Sequence, residues 1–273
     1  MARGNLERHE IFLSSLRVRV QSSCTQTNRY LQRHWSAAKL PILRPETTCD
    51  IEVIADASPR IVLNGEVVWA DGIVEDLVAG FEQWLYRAAL AQHEGRFGVF
   101  HASALVSDGA TVVFSGPSGA GKSSLALAAA RRGWKYFSDE FVVTDGQRVW
   151  GWPRAIRFDP PEPGAPCLDY LVDLDTDHDA VGSTQDSAPP YYAVSGNALQ
   201  RVACSAHEVH FVRVERGTRT TLESISTSVG LKYWTEAAFF EPTMSLGALV
   251  GAHRTWRASW RHPEELIDLI AAT

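Results

Sequence analysis

The sequence predicts an α/β fold in which a glycine-rich loop joins a strand to a helix. Residues 116–123 read Gly-Pro-Ser-Gly-Ala-Gly-Lys-Ser and fit the phosphate-binding pattern G-x-x-x-x-G-K-[ST] at every position. Residues 110–115 before this loop form a short apolar, β-branched run, which predicts a strand. Residues 123–130 after it are rich in Leu and Ala, which predicts a helix. In α/β folds, ligands bind at the carboxyl end of such a strand.

The residue types of this loop suit a bound nucleoside triphosphate. Glycines let the backbone curl so that consecutive N–H groups point inward at a phosphate. The lysine of the pattern reaches the β- and γ-phosphates, the following hydroxyl ligates Mg²⁺, and the positive end of the helix dipole adds to the anion site. The predicted ATP-binding residues are Gly116, Ser118, Gly119, Ala120, Gly121, Lys122, Ser123 and Ser124.

Composition limits the classes of function. The chain has 273 residues, of which 45% are hydrophobic and 21% charged, as is ordinary for a globular protein. The net charge is −6 and no basic cluster is evident, so we expect no nucleic-acid partner. No stretch approaches the ~18 apolar residues that a membrane helix needs, and no signal peptide is recognisable, so we expect a cytoplasmic protein without membrane contact. The four cysteines form no C-x-x-C pair, which indicates neither a zinc site nor a redox dithiol.

The pattern of apolar residues divides the chain into two regions. Residues 1–95 are expected to form an N-terminal α/β region, with a helix at about 28–39 and an amphipathic helix at about 72–92. Between apolar runs, Asn64-Gly65 predicts a hairpin turn. Residues 96–273 are expected to form the domain that carries the glycine-rich loop.

Within the second region, strands are predicted over residues 97–106 and 136–144, and a helix near 244–252. Residues 158–200 are acidic, rich in Pro and Gly, and lack Lys and Arg. They predict a flexible surface loop. The functional alternative is a loop that becomes ordered over a substrate.

Two adjacent acids interrupt the strand predicted over residues 136–144. Asp139 and Glu140 would be costly to bury there unless they serve a cation or a reaction. In most ATPases with such a loop the acidic strand residue that holds Mg²⁺ comes much later in the chain. Because Asp139 follows Lys122 so closely, the spacing disfavours a transport ATPase or a helicase. It favours a compact kinase in which one acid is the base for an incoming hydroxyl.

Three segments in order resemble the HPr kinase/phosphorylase superfamily. They are His101-Ala102-Ser103, the glycine-rich loop, and Ser138-Asp139-Glu140. The sequence is most similar to the smaller HPr-kinase-like proteins of peptide-modifying systems, over about residues 95–160. The resemblance implies a fold like that of PEP carboxykinases, a mixed sheet with flanking helices. By itself His101 would more often be a core histidine.

The resemblance implies roles for individual residues. Asp139 is expected to be the catalytic base, with His101 near the phosphates. Ser123 and Glu140 are expected to bind Mg²⁺, although the family commonly has Asp where Glu140 stands, and its longer side chain alters the geometry. Arg154 is expected to offset charge on the transferred phosphoryl group, with Arg157 as an alternative.

The expected function is ATP- and Mg²⁺-dependent phosphorylation of a serine in a peptide or small protein. The leading acceptor class is the precursor of a ribosomally made, modified peptide, such as a lasso peptide. HPr itself is not the default acceptor, because residues 1–95 do not match the N-terminal domain of the regulatory kinase. One alternative is a kinase of free serine or another metabolite, and another is a non-catalytic regulator that binds ATP. A homo-oligomer is compatible with the family, which often forms oligomers.

Overall fold

The chain divides into two compact units, Met1–Arg96 and Phe97–Thr273. The computed structural model describes residues 6–70, 72–157, 191–192, 199–239 and 254–273. The helix expected at 244–252 lies outside the described residues, and so does the acidic loop expected at 158–200, except for residues 191–192 and 199–200.

The first unit is a five-stranded mixed sheet that packs against two helices. Its elements are β1 (Glu7–Leu13), β2 (Leu16–Ser22), α1 (Thr25–His34), β3 (Thr47–Ile54), β4 (Arg60–Leu63), β5 (Glu66–Trp69) and α2 (Leu77–His93). The strands lie in chain order, with β2 and β3 parallel and the other neighbours antiparallel. Alternate strand residues such as Val18, Val20 and Ile51 are fully buried beneath the helices, as expected for a sheet with one covered face.

The predicted hairpin turn of the first unit is confirmed. Asn64 and Gly65 join β4 to β5 with φ angles of 50° and 89°. Positive φ at both central residues defines the turn that matches strand twist, and Asn-Gly adopts it at little cost. Both predicted helices of the first unit exist with different bounds. Helix α1 begins three residues earlier than expected and ends at His34, where a separate 3₁₀ turn, Ser36–Lys39, follows. Helix α2 begins later than expected, at Leu77, after a 3₁₀ turn over Val74–Asp76.

The second unit contains two main sheets and three helices in its described part. Its elements are β6 (Gly98–His101), β7 (Ser103–Ser107), β8 (Ala110–Ser115), α3 (Lys122–Arg131), β9 (Lys135–Ser138), β10 (Phe141–Thr144), β11 (Arg148–Gly151), β12 (Ile156–Arg157), β13 (Tyr191–Tyr192), β14 (Cys204–Ser205), β15 (Val209–Arg216), β16 (Thr221–Ser224), α4 (Thr227–Ala237), β17 (Arg254–Trp260) and α5 (Pro263–Ala271). The larger sheet has six strands in the order β16-β17-β15-β8-β7-β9. The smaller sheet has the order β14-β11-β10-β6.

The six-stranded sheet is mixed, as the family resemblance implies for this unit. Strands β17, β15 and β8 run parallel, and the outer pairs run antiparallel. Helices α3 and α5 pack together on this sheet, whereas α4 packs against β17 and β6. The aromatic core beneath α4 places Trp234 against Phe211 and Phe100, with ring centroids 4.1 and 4.5 Å apart.

The strands predicted over residues 97–106 and 136–144 are each interrupted, which corrects that expectation. The first breaks at Ala102 between β6 and β7, and the second at Asp139-Glu140 between β9 and β10. Strand β6 belongs to the smaller sheet and β7 to the larger one. In the second segment the order is reversed, because β9 belongs to the larger sheet and β10 to the smaller one. The two breaks are joined by a hydrogen bond from the Ala102 N–H to the Glu140 carbonyl, at 3.2 Å. The acid pair therefore lies on a turn and not in a strand.

No helix among the described residues is long and apolar enough to cross a membrane.

Candidate functional site

The glycine-rich loop lies between β8 and α3, so the predicted strand and helix on its two sides are confirmed. Gly119 and Gly121 have φ angles of 78° and 84°, which favour glycine. Gly116 is needed for a different reason, because a Cβ there would lie 2.5 Å from the Val214 carbonyl oxygen. The helix that follows ends at Arg131, and Gly133 two residues later has positive φ, as is common after a helix C-terminus.

Lys122 is the first residue of α3 and is almost buried, at 8% exposure. Its ammonium donates to the carbonyl oxygens of Gly116 and Pro117, at 3.0 and 3.4 Å. Burial lowers the pKa of Lys122, and the nearby carboxylates of Asp139 and Glu140 oppose that shift. The lysine of the loop and the predicted acid pair therefore lie within electrostatic range of each other.

Ser138 organises the turn that carries the acids. Its hydroxyl donates to the Trp152 carbonyl at 3.1 Å and accepts from the N–H groups of Glu140 and Phe141. A serine that caps the next backbone N–H groups in this way stabilises a turn in place of a continuous strand. The Ser138 side chain therefore stabilises the turn at the point where the chain leaves β9.

Asp139 is buried, at 6% exposure, and its orientation is set by Ser103. The Ser103 hydroxyl donates to Oδ1 of Asp139 at 2.6 Å. Both residues lie where a chain crosses between the sheets, one at the start of β7 and the other just after β9. A short hydrogen bond to a charged acceptor is among the stronger ones, so the carboxylate is held in one position.

The two oxygens of Glu140 face different partners. Nε2 of His101 lies 3.5 Å from Oε1, and Nη1 of Arg154 lies 4.0 Å from Oε2. Burial and the charge of Lys122 lower the pKa of His101, so its imidazole is neutral at neutral pH. Glu140 therefore links a neutral imidazole to a guanidinium.

Arg154 is positioned from the interior. Its side chain is only 3% exposed, and its carbonyl oxygen accepts a hydrogen bond from the Tyr136 hydroxyl at 2.9 Å. Burial, with the nearby charges of Asp139 and Glu140, holds the pKa of Tyr136 well above its ordinary value. Tyr136 is therefore a neutral hydrogen-bond donor beneath the site.

Several predicted residues thus come together in the structure. Glu140 lies in close contact with His101 and Arg154. Lys122 lies within electrostatic range of His101 and of both acids, Asp139 and Glu140. Of the other predicted loop residues, Ser118 and Gly119 are exposed, Ala120 is buried, and Gly116, Gly121, Ser123 and Ser124 are half-buried. The side chain of Arg157 lies outside the described residues.

Sequence reasoning did not single out Ser103, Ser138 and Tyr136 as site residues. A signal for Ser103 existed, since it stands two positions after His101 in the segment that carries the family resemblance. Ser138 directly precedes two acids, a position from which a serine can form a turn. Nothing in the sequence marks Tyr136, whose role depends on the distant carbonyl of Arg154.

The oxygen-rich donor set near the loop fits a hard cation such as Mg²⁺. The predicted ligands are Ser123 and Glu140, which supply only oxygen atoms. Mg²⁺ usually takes one or two protein carboxylates with substrate phosphates and water. Within the described ranges, no group of three or more His, Cys, Asp and Glu side chains is placed to hold a metal ion on its own.

The packing of the loop against Trp260 leads to a stability prediction. A Cβ on Gly121 would lie 2.2 Å from the ring of Trp260, which is fully buried and donates its indole N–H to the Ala120 carbonyl at 3.1 Å. Because this ring has no room to move, we expect Gly121→Ala to lower the free energy of unfolding by about 1–3 kcal/mol more than Gly119→Ala. Chemical denaturation of both variants measures the difference.

Gly119→Ala is the matched control. Both glycines have positive φ, but nothing lies within 4 Å of a Cβ at Gly119. The strain of the left-handed backbone is common to the two variants, so the difference reports only on the collision with Trp260. Equal denaturation midpoints would contradict the packing described for the loop.

No protein-family model matches this chain, and no curated protein matches it. Among solved structures it is similar to the Hpr(Ser) kinase/phosphatase from Coxiella burnetii, with 14% sequence identity and a TM-score of 0.30. The match covers 64% of this chain and 94% of that chain. At this TM-score the similarity is too low to carry an argument about fold or function.

Proposed function

We propose that this protein is an ATP- and Mg²⁺-dependent kinase that phosphorylates a serine hydroxyl of a peptide or small protein. The observation that carries the proposal is the juxtaposition of Lys122, on the glycine-rich loop, with the carboxylates of Asp139 and Glu140. A loop of this pattern suits phosphates, and an oriented carboxylate beside it suits removal of a proton from an attacking hydroxyl.

The proposed reaction is a direct transfer between two oxygens. Asp139 accepts the proton of the acceptor hydroxyl, whose oxygen forms a bond to the γ-phosphorus while the bond to the bridging oxygen of ADP breaks. Lys122 and the loop N–H groups hold the phosphates, and Ser103 keeps the carboxylate oriented. Catalysis of this kind depends mainly on positioning and electrostatic stabilisation.

The remaining residues organise charge around this step. Ser123 and Glu140 would hold Mg²⁺, which would neutralise charge on the β- and γ-phosphates. Glu140 holds Arg154 near the reacting group, and the neutral His101 completes the contact on the other oxygen of Glu140. Arg154 would then offset charge that develops on the phosphoryl oxygens.

The acceptor class rests on the sequence resemblance described above. This resemblance favours the precursor of a ribosomally made, modified peptide of the lasso type as the acceptor. A serine hydroxyl of the precursor would provide the attacking oxygen. We expect the protein to act in the cytoplasm, where ATP and a newly made precursor are both present.

Mass spectrometry of candidate acceptors after incubation with MgATP tests the proposal. The panel contains serine-ending precursor peptides, HPr and free serine. A gain of one phosphoryl group on a peptide is the expected result. Gain only on free serine would move the function to metabolite phosphorylation. Tight ATP binding with no gain on any acceptor would favour a regulator that binds ATP without turnover.

A further inference from the structure

Arg213 lies at the base of the glycine-rich loop, although it is distant from it in sequence. In the parallel pairing of β15 with β8, Arg213 is opposite Ser115, the residue just before Gly116. Neighbouring residues in register point to the same face of a sheet. The backbone of β15 also touches the loop, because the Val214 carbonyl is the group that leaves no room for a Cβ at Gly116.

The charge of Arg213 is felt at the phosphate-binding lysine. Its positive charge contributes to the lowered pKa of Lys122, after the larger effect of burial. The carboxylates of Asp139 and Glu140 have larger effects on this pKa in the opposite direction. Arg213 therefore lies within electrostatic range of the lysine, on the side where β15 touches the loop.

In the structure, Arg213 is held by α4. Its Nη2 lies 3.1 Å from Oε2 of Glu236, and its guanidinium lies 5.1 Å from the centroid of the Tyr233 ring. Oε1 of Glu236 faces Lys232 at 3.9 Å. The Arg213 side chain is 22% exposed and that of Glu236 is 38% exposed, so this ion pair is open to exchange with another anion.

A buried hydroxyl stands beside Arg213 on the same face. Ser115 is fully buried, and its Oγ has no hydrogen-bond partner within the part of the chain that the structure describes. Most buried hydroxyls have a partner, so Ser115 leaves a hydrogen-bonding group unused at the base of the loop, as Thr111 does further back on the same strand.

We infer that Arg213 is a second phosphate-binding residue, which engages the γ-phosphate of ATP and is held by Glu236 when no nucleotide is bound. The inference rests on the proposed kinase function and extends it to a residue outside the loop. A guanidinium forms paired hydrogen bonds to phosphate oxygens, which a lysine cannot match. ATP then exchanges the weak contact with Glu236 for a contact with a fully charged phosphate.

The difference between ATP and ADP isolates this role. We expect Arg213→Gln to lower the affinity for MgATP by roughly 10- to 100-fold, as for loss of hydrogen bonds to a charged group. The affinity for MgADP, which lacks the γ-phosphate, should change less than about threefold. Titration calorimetry in an Asp139→Asn background measures both affinities without consuming ATP.

Arg257→Gln is the matched control. Arg257 is the register neighbour of Arg213 on β17 and also pairs with a glutamate, Glu215, at 2.9 Å. It lies one strand further from the loop, so we expect neither nucleotide affinity to change. Arg213→Lys keeps the charge and the aliphatic stem, so its affinity for MgATP should lie between those of the wild type and of Arg213→Gln. This variant keeps the inference testable if the glutamine variant does not fold.

Glu236→Gln tests the other half of the exchange. Removing the carboxylate that holds Arg213 should leave MgADP affinity unchanged and strengthen MgATP binding several-fold, since the phosphate no longer competes with Glu236. Equal losses for both nucleotides in the Arg213 variants, or no loss, would overturn the inference. Failure of the wild-type protein to bind either nucleotide would instead overturn the proposed function.

Discussion

Replacement of Asp139 with asparagine is expected to lower the rate of phosphoryl transfer by ~10²–10⁴-fold, the usual contribution of a positioned acid or base. The amide keeps the size of the carboxylate and an oxygen that can accept from Ser103, but it cannot take a proton from the acceptor. The affinity for MgATP should change little. The measurement is the initial rate of phosphopeptide formation, followed by mass spectrometry on whichever acceptor of the panel is modified.

Asp145→Asn is the matched control for this experiment. Asp145 follows β10 in the same unit, and its half-buried carboxylate pairs with Arg148 at 2.7 Å and accepts from the backbone N–H groups of Gln147 and Arg148. These contacts lie in the turn between β10 and β11 and involve none of the residues assigned to the reaction. The same chemical change there should therefore leave the phosphorylation rate within about twofold of wild type. An Asp139→Asn protein that binds MgATP and retains the full rate would show that Asp139 is not the base.

Replacement of Gly151 with alanine is expected to disturb the acid-bearing turn from a distance. A Cβ at Gly151 would lie 2.5 Å from Cβ of Ser138 and 2.7 Å from the carbonyl oxygen of Phe137. The contact with Phe137 is to a backbone atom, so no flexible side chain can move to relieve it. The backbone of the turn itself must shift. We expect the free energy of unfolding to fall by about 1–3 kcal/mol, and the phosphorylation rate to fall with it.

Both effects are measurable on one preparation. Chemical denaturation reports the loss of stability, and the initial rate at a temperature where the variant remains folded reports the displaced turn. Gly109→Ala is the control, because it lies in the turn between β7 and β8 with nothing within 4 Å of its Cβ. It should lose about 1–2 kcal/mol through its positive φ and retain its rate. A folded Gly151→Ala protein with full activity would contradict the role assigned to this contact.

The elements around the loop could be predicted because their signals are local. The loop pattern, the β-branched run before it and the helix-forming residues after it lie within one short segment, and the structure confirms β8 and α3. The Asn64-Gly65 turn was predictable for the same reason, since two residues determine its backbone conformation. Signals of this kind survive any change in the rest of the fold.

The break at Asp139-Glu140 was not predicted, although the residues were. Apolar residues on both sides gave the appearance of one continuous strand, and its two halves are indeed buried strands. What divides them is the pairing of β9 with β7 in one sheet and of β10 with β6 in the other. Strand pairing is a long-range property, so the pattern of a single segment does not reveal it.

By itself the sequence determined the chemical groups available to this protein: a loop suited to phosphate, a lysine, two acids, a histidine and an arginine. Only the tertiary structure decided how they meet. It places Glu140 between His101 and Arg154, uses Ser103 to orient Asp139, and brings Arg213 beside Ser115 through the parallel pairing of distant strands. The physical reason is the distance along the chain over which each property is determined. The geometry of a loop or turn follows from neighbouring residues. The electrostatics and hydrogen bonds of a site depend on contacts between distant residues, which form only when the sheets assemble.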